Sequence, residues 1–109
     1  KNLGDLPGLM RSAQEMQDKM QQAQEELGRR QVTADAGAGM VSATVNGKME
    51  LVKLRIDKTK LDTTDTELLE DMVVAAVAAA QRKAADVVRD EMSKVGSELG
   101  LPPGGLPFT

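Results

Sequence analysis

The stretch from Leu68 to Leu99 constrains this chain most, because it reads as one uninterrupted helix. Thr64 and Glu67 have the spacing of a capping box, and Asp65 adds negative charge to the first turn. No proline follows until Pro102-Pro103, and Gly100 is the expected stop. About 33 residues of helix span ~50 Å. A strand of six to eight residues covers only ~20–26 Å. Any sheet beneath this helix is therefore outreached by several turns. The two halves of the helix also differ. Leu68 to Ala80 is apolar nearly all round, which predicts burial on more than one side. Gln81 to Glu98 is charged, with a narrow stripe at Val88, Met92, Val95 and Leu99 in heptad spacing.

A second seam supplies a partner for that stripe. Leu6, Leu9, Ala13, Met16, Met20, Ala23 and Leu27 follow one another at intervals of three and four. They predict a helix of about twenty residues, with Lys1 to Pro7 as a lead-in and Gly28 as its end. Between the two helices lie three short alternating segments. Val32, Ala34 and Ala36 precede a turn at Gly37-Ala38-Gly39, and Val41, Ala43 and Val45 precede Asn46-Gly47. Asn-Gly between alternating segments predicts a two-residue type I′ hairpin. In that register Val45 pairs with Lys48, Ala43 with Glu50 and Val41 with Val52. Val41, Ala43, Val45, Val52, Leu54 and Ile56 then share the core face, while Met49 and Leu51 point away. The expected fold is α+β: an α-β-β-β-α subunit with a three-stranded antiparallel sheet and two long helices.

With 109 residues there is room for one domain, read here as residues 1–100, followed by a Pro/Gly-rich tail, 101–109, expected to be extended. Phe108 is the only aromatic residue, so the core must be built from Ala, Val, Leu, Ile and Met. Apolar burial stabilises by ~25 cal/mol per Å², and these side chains hide less area than aromatics do. A small sheet with two such helices therefore calls for burial by a second copy. The chain has no Cys and no His. That excludes disulfides, thiolate nucleophiles and imidazole bases, and leaves no cofactor or transition-metal site to expect. Glu50, Glu67, Glu70 and Asp71 have ordinary capping or surface explanations, so catalysis is not expected. No apolar run has transmembrane length and the N-terminus lacks a signal-peptide layout, which predicts a cytoplasmic protein without a membrane partner.

The ordered segments together resemble the YbaB/EbfC family of nucleoid-associated proteins. They are the Gln/Met helix from Ala13 to Gln21, Val32-Thr33, Ala36-Gly37-Ala38-Gly39, Val45-Asn46-Gly47 and Ile56-Asp57. Leu69-Glu70-Asp71-Met72-Val73, Ala75-Ala76 and the ending Leu101-Pro102-Pro103-Gly104 complete the match. The resemblance implies a tight homodimer with helices in the middle, sheets outside, and protruding helical arms that grip duplex DNA. Its departure is at the link before the second helix, where Thr63, Thr64 and Thr66 replace part of an acidic run.

On this reading the candidate dimer interface is Met72, Val73, Ala75, Ala76, Ala79 and Ala80. The candidate DNA-binding residues are Arg11, Lys19, Arg29 and Arg30 at helix 1, with Arg82, Lys83, Arg89 and Lys94 on helix 2. The same cations also have acidic neighbours at i,i+4 spacing: Arg11 with Glu15, Arg82 with Asp86, and Lys94 with Asp90. Such pairs decorate any solvated helix, so both readings stay open. The seven Met residues read as core filler and Gly37-Ala38-Gly39 as a turn, since no phosphate-loop Lys or helix follows. Without aromatics to stack on bases, duplex binding with low sequence specificity is expected. The net charge of −3 argues the other way, for arms that hold a polypeptide partner. No small-molecule substrate is expected.

Overall fold

A computed structural model describes residues 3–100; part of the expected lead-in and the whole tail from Leu101 lie outside them. The order of elements is α1 (Leu6–Arg29), β1 (Gln31–Ala36), β2 (Val41–Asn46), β3 (Leu51–Ile56) and α2 (Thr66–Glu98). A single 3-10 turn, Leu3–Asp5, leads directly into α1. Pro7 stands in the first turn of α1, where its missing N–H is no loss. The lead-in is therefore shorter than the sequence suggests. Gly28 does not end α1 either. The helix passes through it, and Arg30 then turns extended at the cap. A β-carbon at Gly28 would stand 2.9 Å from Lys48 Cε, near the end of a flexible side chain that can move aside.

The three strands form one antiparallel sheet in the order β1-β2-β3. β1 and β2 pair without slip: Val32 opposite Val45, Ala34 opposite Ala43, Ala36 opposite Val41. The β2–β3 register corrects the sequence expectation. Val41 pairs with Ile56, Ala43 with Leu54 and Val45 with Leu51, with a bulge between Thr44 and Val45. Residues directly opposite share a face, so Leu51 joins the core side. The cause is the Asn46 side chain. Its Oδ1 accepts from Lys48 N–H at 2.9 Å and from Glu50 N–H at 3.1 Å, and its Nδ2 donates to Glu50 Oε1 at 2.8 Å. Asn46 thus opens the turn instead of occupying its centre, and Met49 takes the left-handed conformation at φ 67°. The longer loop displaces the two-residue hairpin.

α2 starts one residue later than a Thr64 cap implies. Asp65 is the capping residue and accepts from Leu68 N–H at 3.2 Å, while the Thr64 hydroxyl donates to Asp62 at 2.6 Å. An aspartate cap contributes about 1 kcal/mol. The helix then lays Ala76, Ala80 and Ala84, one every fourth residue, onto β1 and β2. All three are buried, together with Val41, Ala43, Val45 and Leu61. The small side chains let the helix backbone approach the sheet closely.

α2 overhangs the sheet, as its length requires. Its far half meets the end of α1 around Ala23, Leu27, Glu91 and Val95. α1 then continues past the end of α2, and the molecule measures 73 × 21 × 17 Å. The radius of gyration is 20.4 Å, where a compact domain of this length would have about 13 Å.

Candidate nucleic-acid interface

The eight helix cations expected to meet DNA differ in exposure and in pairing. Arg11 and Lys19 are exposed on the projecting part of α1, and Arg29 is exposed at its end. Arg30 is exposed and bridges from the end of α1 to α2 through Glu91 Oε1 at 3.0 Å. On α2, Arg89 pairs with Asp86 at 2.8 Å and Lys94 with Glu91 at 3.5 Å. These are i,i+3 pairs, and they stand in place of the expected Asp90–Lys94 and Arg82–Asp86 pairs. Lys83 donates to the Thr33 carbonyl at 2.9 Å, which caps the outer edge of β1. Only Arg82 of the α2 set is exposed with neither an ion pair nor a side-chain hydrogen bond among the described residues.

Net charge follows the same division. α1 carries three basic and four acidic residues, and α2 carries four basic and seven acidic. The turn-and-strand segment 48–60 carries five basic and two acidic. All five of its cations, Lys48, Lys53, Arg55, Lys58 and Lys60, stand outside the expected set. Their sequence signal is the alternation of Lys53 and Arg55 with the apolar Val52, Leu54 and Ile56, a period of two that sends charge to one side. In the sheet Lys53 lies opposite Thr44 and Arg55 opposite Ser42, so they share the face turned away from α2. Thr33 and Thr44 are joined there by a 2.8 Å bond between their hydroxyls.

Two carboxylates hold the loop that leaves β3. Asp57 accepts from the hydroxyl and the N–H of Thr59, and these bonds lower its pKa, with help from Lys60 and Arg55. Asp62 is lowered in the same way by the hydroxyl and N–H of Thr64. The Arg30 hydrogen bond, then the Lys94 charge, hold Glu91 below its usual range. An open concavity of ≈ 370 Å³ lies between the end of α1 and the β2–β3 turn, where Glu25 and Glu50 offset Arg29 and Lys48. Among the described residues no Asp/Glu group is arranged to hold a metal ion, and no helix is long and apolar enough to cross a membrane.

The expected interface residues divide. Ala76 and Ala80 lie at zero exposure against their own sheet and have no surface to offer a second copy. Met72 and Val73 are half-buried beside them, and Ala75 is exposed. The uncovered apolar surface lies instead on Val74, 68% exposed, and along β3 at Leu51, Val52 and Leu54. α1 adds Leu6, Leu9, Met10 and Met16, all exposed.

Residues 3–99 match the model of the YbaB/EbfC DNA-binding family. A nucleoid-associated protein of Paramagnetospirillum magneticum is 46% identical over 109 residues, covering 99% of each chain. One from Maricaulis maris is 43% identical, covering 95% of this chain and 98% of that one. Among solved structures, an uncharacterized protein from Helicobacter pylori superposes with a TM-score of 0.64 at 26% identity, over 83% of this chain and 91% of that one.

Proposed function

The chain belongs to the YbaB/EbfC DNA-binding family, and from that premise we propose that it works as a homodimer holding duplex DNA with little sequence preference. Its place is the bacterial nucleoid in the cytoplasm, its regulatory role follows from occupancy of DNA, and it performs no catalysis. The observation that carries the dimer is the uncovered apolar surface of β3. The chain exposes 8012 Å², where a compact protein of its mass would expose about 5,800 Å². Burial of Leu51, Val52 and Leu54 against a second copy removes part of that excess, with Val74 and Ala75 on α2 adding to the contact. Low specificity follows from the side chains. Phe108 is the single aromatic, so base stacking is not a general means of recognition. The cations available are suited to phosphates, which carry no sequence information.

Sedimentation at low micromolar concentration tests the dimer, and a monomer there removes it. Binding to two unrelated duplexes of equal length, over a salt series from ~50 mM, tests the rest. Comparable affinities with a steep salt slope are expected. A large preference for one duplex, or no micromolar binding at the lowest salt, would rule the reading out.

A second reading has its own support. Both helices are net acidic, and the projecting α1 presents Leu6, Leu9, Met10 and Met16 to solvent. Such an arm suits an amphipathic polypeptide partner better than phosphate. Partners that persist after nuclease treatment and disappear in Leu9→Glu would favour it.

A further inference from the structure

The apolar seam of α1 is longer than the cover that α2 gives it. At the inner end of the seam Leu27 is buried, and Ala23 and Met20 are half-buried. Beyond them Met16, Ala13, Leu9 and Leu6 are exposed, although they continue the same heptad spacing. The change falls where α2 ends. The two helices run in opposite directions, with Arg30 bonded to Glu91 and Ala23 sharing a shallow concavity with Val95. Glu98, the last residue of α2, therefore lies about one turn past Ala23, level with Lys19 and Met20. Leu99 closes the helix, and Gly100 takes the left-handed conformation at φ 78°.

We propose that residues 101–109 of the same chain cover the exposed half of this seam, from Met16 to Leu6. The segment starts where the cover of α2 stops, and α2 delivers it heading toward Leu6. Its nine residues, in an extended proline-rich form, reach ~28 Å. The stretch of α1 from Met16 back to Leu6 measures ~15 Å, so the segment is long enough to pass along all of it. Its composition fits an apolar groove. Leu-Pro-Pro-Gly-Gly-Leu-Pro-Phe-Thr has no charged side chain, in a chain where 28% of residues are charged. Leu106 and Phe108, the only aromatic residue, are its anchors. Prolines lower the entropy lost on docking, as in other proline-rich segments held in grooves. A segment tethered beside the groove also outcompetes one from a second copy, because its effective concentration is high. The inference goes beyond the DNA-binding reading and does not depend on it. It finds within the chain a polypeptide to lie on the arm.

The chain has no Cys of its own, so an introduced pair reports the contact cleanly. Met10→Cys with Gly105→Cys, in the full chain, should form a disulfide within one chain on mild oxidation. The product should run as a monomer on a denaturing gel, with the linked peptides identified by mass spectrometry. Asp35→Cys with Gly105→Cys, whose first partner is exposed on β1, should not link. A link between chains only, no link at all, or equal yields for the two pairs overturns the inference. Amide exchange gives a second readout. Deleting residues 101–109 should speed exchange about tenfold over residues 6–16 of α1 and leave β1 and β2 protected as in wild type. Leu106→Ser/Phe108→Ser should move the same amides in the same direction. Exchange over residues 6–16 that the deletion leaves unchanged would also overturn it. Both measurements are made without DNA, so their outcome is separate from that of the DNA-binding reading.

Discussion

β2 and β3 are both six residues long, lie side by side and alternate apolar with polar residues. Their surroundings are opposite. The inner side chains of β2, Val41, Ala43 and Val45, are at zero exposure under the alanine stripe of α2. On β3, Leu51, Val52 and Leu54 are 39–46% exposed, because α2 packs on β1 and β2 and stops short of the third strand. One alternating pattern thus serves two purposes. In β2 it closes the core of the subunit, and in β3 it prepares a surface for another molecule. Periodicity identifies which side of a strand is apolar but not whether its own chain covers that side.

The most severe way to probe this contrast is Ala43→Asp. A carboxylate there would be unpaired among buried Val and Ala side chains, at a cost of about 4 kcal/mol or more. Loss of the cooperative thermal transition, or a collapse of the urea midpoint, is the expected result. The cross-strand neighbour gives a different outcome. Leu54→Asp should leave the far-UV spectrum of the subunit unchanged but weaken the dimer. Removing a buried Leu from both copies, at ~1.5–3 kcal/mol each, corresponds to a hundredfold loss or more. Sedimentation should then show monomer at a concentration where wild type is dimeric. If Leu54→Asp unfolds the chain instead, β3 belongs to the core as much as β2 does.

The overall fold was legible because its strongest signals are local. The two heptad seams, the glycine turns and the terminal Gly100-Pro102 punctuation define two helices flanking three strands, without reference to distant residues. The β2–β3 register was not legible. It depends on whether Asn46 sits inside the turn or opens it, and this is decided by hydrogen bonds to Lys48 and Glu50 and by the room beside Leu27. The candidate site was legible only as a list of cations. Which of them are engaged depends on long-range geometry, as with Lys83 and Thr33, fifty residues apart in sequence. Lys53 and Arg55 follow from period-two alternation, whereas the engagement of Arg30, Lys83, Arg89 and Lys94 does not.

A smaller effect tests how the arm joins the body. Gly47 lies against the Leu27 carbonyl, and a β-carbon there would collide with it. Gly47→Ala should therefore push the end of α1 off the β2–β3 turn, destabilising by about 1–3 kcal/mol. Faster amide exchange should be confined to α1 and to the far half of α2 that it touches. Protection of β1 and β2 should persist, since their cover is α2 and not α1.

The smallest effect concerns the polar link between the two helices. Glu91 is held below the ordinary value of 4.5, first by the Arg30 hydrogen bond and then by the Lys94 charge. A lowered carboxylate stabilises the folded state above its unfolded pKa, and the contribution disappears as pH falls through the folded value. Stability should thus decline as pH drops below about 4.5, where the unfolded chain begins to take up the proton first. Asp57 and Asp62 add to the same slope through Thr59 and Thr64, below 3.8. Arg30→Ala removes only the part of the Glu91 share that Arg30 supplies and leaves that of Lys94, so the difference between the two pH profiles isolates the link. Wild type should lose more stability than Arg30→Ala between about pH 5 and 3, by an amount that shrinks with added salt because both side chains are partly solvated. Parallel profiles would mean that Leu27 and its apolar neighbours Val87 and Val88 hold the arm unaided.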